Sequence, residues 1–163
     1  MAERLALRSG IGYDSHRFAP GGPLVLGGVR IPSDVHLHGH SDGDAIAHAV
    51  TDAILGAAAL GDIGAMFSDA DSANAGRDSI QMLGIAAARV GAAGWRVGQV
   101  DIVVIAETPR ISSHRDAMRA RIGAAVGAPP EDVSIKGKTN EGMGFVGRGE
   151  GIACLATATL FRP

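Results

Sequence analysis

The sequence His40-Ser41-Asp42-Gly43-Asp44, continued through His48 and Asp52, is the stretch around which the rest of the chain is organised. Ser41 and Asp44 have the spacing of a capping box, and a run rich in Ala and Leu follows, so the stretch is typical of a loop that leads into a helix. At about 100° per residue, Asp44, His48 and Asp52 share one stripe of that helix. Because the opposite face is apolar, the stripe indicates either a solvated surface or a row of groups beside a metal ion.

The composition limits the classes of protein to consider. The 163 residues are 46% hydrophobic and 20% charged, which is typical of one globular domain with a sizeable core. A formal net charge of −2 gives no electrostatic reason to expect nucleic acid or a membrane surface as a partner. No apolar run approaches the roughly 20 residues of a membrane span. The single Cys154 cannot form an internal disulfide, so we expect a cytoplasmic protein.

Hydrophobic periodicity predicts about four long strands and three helices. The strands are expected near residues 5–13, 100–106, 133–138 and 152–161, and a short hairpin is expected at 24–31 around Gly27-Gly28. The helices are expected from a capping box at Ser41 and Asp44 to Leu60, from 78 or 79 to 90, and from a cap at Ser112 or Ser113 to Gly127. This pattern predicts a single domain, residues 1–163, with an α+β fold of two layers. A roughly four-stranded mixed sheet would carry helices on one face.

Three separated side chains could form one metal site. In a strand, Asp14 and His16 point to the same face, and His48 comes from the first helix. One carboxylate and two imidazoles are the donor set of a catalytic zinc with one open position. Asp44 and Asp52, one turn on either side of His48, could orient its imidazole. Each residue also has a structural interpretation: a buried strand histidine, a surface histidine or a solvated carboxylate.

Other polar residues suit a phosphorylated ligand. Glu141 could hold a harder ion such as Mg²⁺ on a polyphosphate. Lys138, Thr139 and Arg148 supply hydrogen-bond donors for phosphate oxygens, and the glycine-rich segments let backbone N–H groups approach phosphate closely. Since no nucleophile–base pair is evident, the set favours phosphoryl transfer, which depends on positioning and charge neutralisation more than on covalent catalysis. Arg148 and Glu150 could alternatively form a structural ion pair at a subunit interface.

Five motifs occur in order along nearly the whole chain: GYDSHRF at residues 12–18, HSDGD at 40–44, DIG at 62–64, TNE at 139–141 and GFVGRGEG at 144–151. Together they resemble the 2-C-methyl-D-erythritol 2,4-cyclodiphosphate synthase family. The resemblance implies cyclisation of 4-diphosphocytidyl-2-C-methyl-D-erythritol 2-phosphate with release of CMP, in the non-mevalonate route to isoprenoid precursors. It also implies a homotrimer around a three-fold axis, with active sites between neighbouring subunits.

The resemblance assigns roles to individual residues. Zn²⁺ would be held by Asp14, His16 and His48, and Mg²⁺ or Mn²⁺ with the substrate diphosphate would lie near Glu141. His40 and Thr139 match positions that stabilise the transition state. The methylerythritol pocket is matched by Ser41, Asp62, Ile63, Gly64, Phe67, Asp69 and Asp71. The cytidine loop, contributed by the adjacent subunit, is matched by Ala106, Pro109, Arg110, Ile111 and Ser112.

The remaining substrate contacts implied by the resemblance are Lys138, Asn140, Phe145 and Arg148, the last two near the phosphates and the trimer axis. The chain departs from the family at residues 137–140, where Gly-Lys-Thr-Asn stands in place of a common Ala-Thr-Thr-Thr. Ser68 likewise replaces a common proline, and Ala65 a residue that is often basic. None of these departures removes a metal ligand.

Two other functions stay open at the level of the sequence. One is a trimer that binds zinc and CDP or CMP without turnover. The other is a regulatory protein that binds an isoprenoid diphosphate on the trimer axis, beside Phe145, Arg148 and Glu150. An assay of CMP release distinguishes both from the enzyme.

Overall fold

The computed structural model describes residues 6–68 and 70–162, which form an α+β fold of two layers. The strands are β1 (Ala6–Pro20), β2 (Leu24–Leu26), β3 (Val29–Ile31), β4 (Val35–Leu37), β5 (Arg96–Ile105), β6 (Val133–Lys138) and β7 (Gly151–Arg162). The helices are α1 (Ala45–Ala58), α2 (Ile63–Met66), α3 (Ser79–Ala92), α4 (Arg115–Val126) and α5 (Gly144–Gly147).

One layer is a mixed sheet with the strand order β4-β1-β7-β5-β6. It has five strands where the sequence predicted about four, because β4 is only three residues long and carries too little periodicity to be recognised. Strand β1 also continues to Pro20, beyond the predicted end near residue 13. Its pairing with β7 is antiparallel from Ala6↔Arg162 to Arg17↔Gly151, whereas β5 and β6 are parallel. The predicted hairpin is present as the separate β2-β3 ribbon.

Two glycines allow α1 to lie directly on β1. A Cβ atom at Gly10 would come within 2.2 Å of the Ala53 carbonyl oxygen, and one at Gly12 within 1.9 Å of the Ala49 carbonyl oxygen. Only hydrogen fits in these gaps, so the helix axis approaches the strand more closely than any larger residue would permit. Asp14 and His16 follow on the same face of β1, which brings them beside His48 of α1.

The helix boundaries differ from the predicted ones. Helix α1 ends at Ala58, where Ala59 adopts the left-handed conformation (φ 58°) and its N–H bonds to the last helical turn, so the helix stops before Leu60 and Gly61. At its other end the N-cap is Asp44, not Ser41. The two four-residue helices, α2 and α5, were not predicted. None of the described helices is long and apolar enough to cross a membrane.

Candidate metal centre and substrate cavity

Three side chains from two elements converge at the end of α1 nearest its N-terminus. The Oδ2 atom of Asp14 lies 3.2 Å from Nε2 of His16 and 3.3 Å from Nδ1 of His48. The two imidazole nitrogens are 3.1 Å apart. Each side chain thus offers one ligand atom to a common point, and the three residues form a group that could hold a metal ion.

The dimensions of this group fit a tetrahedral ion. Ligand atoms about 2.0–2.1 Å from a tetrahedral centre lie about 3.3–3.4 Å from one another, close to the three observed separations. The Oδ2 atom of Asp14 is buried and has no hydrogen-bond partner among the described residues. A buried carboxylate oxygen without a partner is costly, and a bound cation supplies the missing interaction. The residues present therefore fit a divalent metal with one position left for a further ligand.

The two imidazoles differ in their proton affinity. Burial lowers the pKa of His16, and the neighbouring Asp14 only partly offsets it. Burial also acts to lower the pKa of His48, but the Asp14 carboxylate, with Asp44 and Asp42 behind it, outweighs burial and raises the pKa overall. A proton therefore competes with a metal ion more strongly at His48 than at His16.

The Asp44 side chain forms no hydrogen bond with His48, whose imidazole the helical stripe predicted it to orient. This carboxylate has no exposed area and accepts four backbone N–H bonds, from Ile46 and Ala47 in α1 and from Gly27 and Gly28 in the β2-β3 turn. Burial raises the pKa of Asp44, and these amide donors oppose the shift. The stripe misplaced this residue because Asp44 is the N-cap, where the backbone is extended and helical periodicity has not begun.

Asp52 also bonds elsewhere: its Oδ1 accepts the N–H of Ile63, 2.8 Å away, and ties α1 to α2. Burial is the main cause of its raised pKa.

The groups that contact the outer nitrogen of His48, Nε2, are two hydroxyls. Nε2 of His48 lies 3.0 Å from Oγ of Ser41 and 2.9 Å from Oγ of Ser79. Ser79 was not predicted, since nothing in the sequence distinguishes it from an ordinary first residue of a helix.

The candidate metal group opens into a cavity of about 210 Å³. Of the predicted residues, the lining includes Asp14, His16, His40, Ser41, His48, Ile63, Gly64 and Phe67. Asn74 and Met82 line it as well and were not predicted. Two predicted pocket residues lie outside this lining. Asp62 accepts the Ala65 N–H at the start of α2, and Asp71 accepts the Ala73 N–H at the start of a single 3₁₀ turn, Ser72–Asn74. Asp69 lies outside the described residues.

The predicted cytidine loop lines a second cavity, of about 330 Å³. Its lining includes Ala106, Pro109, Arg110, Ile111, Ser112, Lys138 and Thr139. Glu107 and Arg115 also line it and were not predicted. The two cavities share no lining residue, so a single chain holds the metal group and the predicted cytidine loop at separate places.

The turn that carries Glu141 is fixed by local hydrogen bonds. Glu107 accepts the Asn140 N–H at 2.9 Å, and the Thr139 hydroxyl donates to Oε1 of Glu141 at 2.8 Å. Glu141 itself adopts φ 52°, a conformation that non-glycine residues rarely hold without support. Further along, Nε of Arg148 donates to Oε1 of Glu150 at 2.6 Å, in an exposed pair.

Comparison with known proteins gives a consistent result over nearly the whole chain. Residues 7–161 match the family model described as the YgbB family. A curated relative from Gemmatimonas aurantiaca, named 2-C-methyl-D-erythritol 2,4-cyclodiphosphate synthase, is 62% identical over 156 residues, which are 96% of this chain and 94% of the relative.

Two solved structures superimpose closely. The bifunctional IspDF from Campylobacter jejuni matches with a TM-score of 0.94 and 37% identity, over 98% of this chain and 43% of that one. The complex of IspF from Plasmodium falciparum with CDP matches with a TM-score of 0.84 and 35% identity, over 96% of both chains.

Proposed function

This chain belongs to the YgbB family, and from that premise we propose that it cyclises 4-diphosphocytidyl-2-C-methyl-D-erythritol 2-phosphate. The products are 2-C-methyl-D-erythritol 2,4-cyclodiphosphate and CMP, and the reaction belongs to the non-mevalonate route to isoprenoid precursors. The chain is an enzyme of the cyclodiphosphate synthase class, as its high-identity relatives are. The observation that carries the proposal within the molecule is the Asp14, His16 and His48 group beside a cavity.

We propose that Asp14, His16 and His48 hold Zn²⁺. Two neutral imidazoles and one carboxylate leave the ion one position, and the unpartnered Oδ2 of Asp14 supports a resident cation. Zn²⁺ bound there would act as a Lewis acid toward a substrate phosphate oxygen. Glu141 is the carboxylate proposed to meet Mg²⁺ or Mn²⁺, which would be held mainly by the substrate diphosphate.

The reaction is an intramolecular phosphoryl transfer. An oxygen of the 2-phosphate forms a bond to the β-phosphorus, and the bond from that phosphorus to the oxygen bridging it to the α-phosphorus breaks, so that CMP leaves with the electron pair. The 2-phosphate is anionic near neutral pH, so no strong general base is needed. The task of the chain is to hold the two phosphates close together, which supplies much of the rate. His40 and Thr139 are proposed to stabilise the transition state.

The two cavities are proposed to bind different parts of the substrate. Ser41, Ile63, Gly64 and Phe67 line the cavity beside the metal group and are proposed to hold the methylerythritol portion. Asp62, Asp69 and Asp71 are proposed to contact the same portion of the substrate. The second cavity is proposed to take cytidine against residues 106–112. Lys138, Asn140, Phe145 and Arg148 are proposed to contact the phosphates.

A homotrimer with sites between subunits accounts for two features of the single chain. First, the predicted substrate residues line two separate cavities, which a neighbouring subunit could bring together. Second, the sheet face away from the helices exposes Leu7, Ile11 and Tyr13 (61, 68 and 53% exposed) beside Leu155 of β7. Exposed apolar patches of this kind mark interaction surfaces. Light scattering should give about three times the 16.5 kDa chain mass, and a monomer mass would exclude this assembly.

The remaining proposals concern the domain, the compartment and a lipid ligand. Residues 1–163 are proposed to act as one domain, because one hydrophobic cluster draws on the sheet and on α1, α3 and α4. A cytoplasmic location fits the single, buried and free Cys154.

Isoprenoid diphosphate binding near the exposed Phe145 and Arg148 is a further proposal. It would be abandoned if Arg148→Ala bound farnesyl diphosphate as well as the parent.

The decisive assay is CMP release from the diphosphate substrate, with and without a chelator, for the parent and His48→Ala. The proposal expects turnover by the parent, its loss on zinc removal and its recovery on zinc addition. His48→Ala should be inactive, while the control His114→Ala, a histidine that lines neither of the two cavities, should retain activity. Turnover that survives zinc removal would overturn the metal mechanism, and binding of CDP without CMP release would favour the non-catalytic alternative.

A further inference from the structure

We propose that Ser79, held by Asp42, is a positioning residue that fixes the tautomer and orientation of His48, so that its Nδ1 atom presents a lone pair to the metal. This inference rests on the proposed metal site. Neither Ser79 nor Asp42 was predicted as a functional residue. A cluster of polar atoms surrounds Nε2 of His48, on the side of the imidazole that faces away from the candidate metal group.

Four side chains from three segments meet at this cluster. Oγ of Ser79 lies 2.9 Å from Nε2 of His48 and 3.1 Å from Oγ of Ser41. The hydroxyl of Ser79 donates a short hydrogen bond to Oδ1 of Asp42, and the Ser79 backbone N–H donates to Oδ2 of the same carboxylate at 3.2 Å. Ser79 has no exposed area, so water does not compete for its hydroxyl.

Counting protons fixes the direction of the bond between Ser79 and Asp42 and limits the role that Ser79 can play toward His48. A carboxylate only accepts, so the bond between Ser79 and Asp42 uses the single hydroxyl proton of Ser79. With its proton given to Asp42, Ser79 can take part in the 2.9 Å contact with His48 only as an acceptor, and this contact favours the tautomer with the hydrogen of the neutral imidazole on Nε2. The Ser41 hydroxyl, 3.0 Å from the same nitrogen, would donate to it only in the opposite tautomer. With the hydrogen on Nε2, Nδ1 is left with its lone pair, and Nδ1 is the atom that lies 3.3 Å from Oδ2 of Asp14.

Asp42, whose carboxylate accepts from Ser79, is itself held in place by two further hydrogen bonds. The Asp44 N–H donates to Oδ1 of Asp42 at 3.2 Å, and the Asp42 N–H donates to the Arg77 carbonyl at 3.1 Å. Asp42 therefore links the loop before α1 to the start of α3, and Ser79 transmits that position to His48. The opposite tautomer would set the Nε2 lone pair against the oxygen of Ser79 and turn an N–H toward the ion.

The first test is a tautomer measurement on the full chain stripped of metal. Long-range ¹H–¹⁵N correlation spectra at pH 8 should show the parent His48 with hydrogen on Nε2, and Ser79→Ala should show a mixture of tautomers. If the parent His48 carries its hydrogen on Nδ1, the inference is wrong. This measurement does not need a metal, so it remains informative even if the proposed metal function fails.

The second test is zinc affinity, measured by competition with a chromophoric chelator. Loss of an outer partner of a metal-binding histidine typically lowers metal affinity about 10–100-fold, and we expect that loss for Ser79→Ala. Asp78→Asn is the matched control, because Asp78 caps the same helix start through the Ile80 and Gln81 amides without contacting His48. It should keep parental affinity, and Co²⁺ spectra should change for Ser79→Ala alone.

Equal loss of affinity in both variants would show a general effect of the α3 terminus, and loss of less than about threefold in Ser79→Ala would show that the hydroxyl is dispensable. Either result overturns the positioning role. A parent with the expected tautomer that does not bind zinc would instead refute the proposed metal function and leave the arrangement of Ser79 and Asp42 standing.

Discussion

Replacing Asp44 tests whether this carboxylate stabilises the fold or orients His48. In the structure it accepts N–H bonds from Gly27 at 2.8 Å, Gly28 at 2.6 Å, and Ile46 and Ala47 at 3.1 Å each. Asp44→Ala would leave four amide donors without a partner in a fully buried place. Loss of an N-cap costs about 1 kcal/mol, and each buried unpaired amide of the hairpin turn about 1–3 kcal/mol.

We therefore expect Asp44→Ala to lower the free energy of unfolding by about 4 kcal/mol, a large part of a typical total of about 5–15 kcal/mol. Asp44→Asn keeps an oxygen for three of the donors but sets an NH₂ group against the Gly28 N–H. Its expected cost is about 2 kcal/mol. Asp52→Asn is the comparison from the same predicted stripe. Because Asp52 accepts one amide and its amide replacement still can, we expect a loss below about 1 kcal/mol.

The assay is urea-induced unfolding with chelator present, at one fixed protein concentration, because metal and subunit association both shift apparent stability. Zinc affinity of each folded variant is measured in parallel. A loss below about 1 kcal/mol in Asp44→Ala would refute the reasoning from unpaired amides. Parental stability with impaired zinc affinity in Asp44→Asn would restore the sequence-based interpretation, in which this carboxylate acts on His48.

Three further predictions concern packing, pH and the thiol. Gly12→Ala should prevent folding or cost more than about 3 kcal/mol, because its Cβ would lie 1.9 Å from the Ala49 carbonyl oxygen. Gly91→Ala in α3, with nothing within 4 Å, should be neutral or stabilise by about 0.5 kcal/mol, and similar melting temperatures for both would contradict this. Because the pKa of His48 is raised above 6.5, zinc affinity measured by chelator competition should fall from pH 8 to pH 6, and a flat profile would count against His48 as a ligand. Burial raises the pKa of Cys154 well above 9.0, so a thiol reagent at pH 8 should label only the unfolded chain, and rapid labelling of the native protein would disprove the burial.

Periodicity and turn chemistry were sufficient for much of the secondary structure. The apolar run before Ala106 is the buried strand β5, and Gly27-Gly28 joins a hairpin, because these patterns reflect local geometry and burial. Strand β4 was not predicted because three residues give almost no periodicity. It is recognised as a strand only by its pairing with Phe18–Pro20, which are distant from it in the sequence. The end of α1 was misplaced by two residues because Ala59 takes the left-handed conformation in place of the expected glycine.

Residue types and their order along the chain were enough to nominate Asp14, His16 and His48 as a set, since donor chemistry can be read from single residues and β1 places two of them on one face. Contacts between distant segments were not available from the sequence. It does not specify that the Asp44 oxygens meet the amides of Gly27 and Gly28, or that Ser79 reaches the imidazole of His48. Each of these contacts depends on how α1 and α3 pack against the sheet, and packing is decided by the whole core at once. The sequence alone was therefore enough to identify the types of ligand atom at the candidate metal site. The hydrogen-bond partner of each polar group was decided only by the tertiary structure.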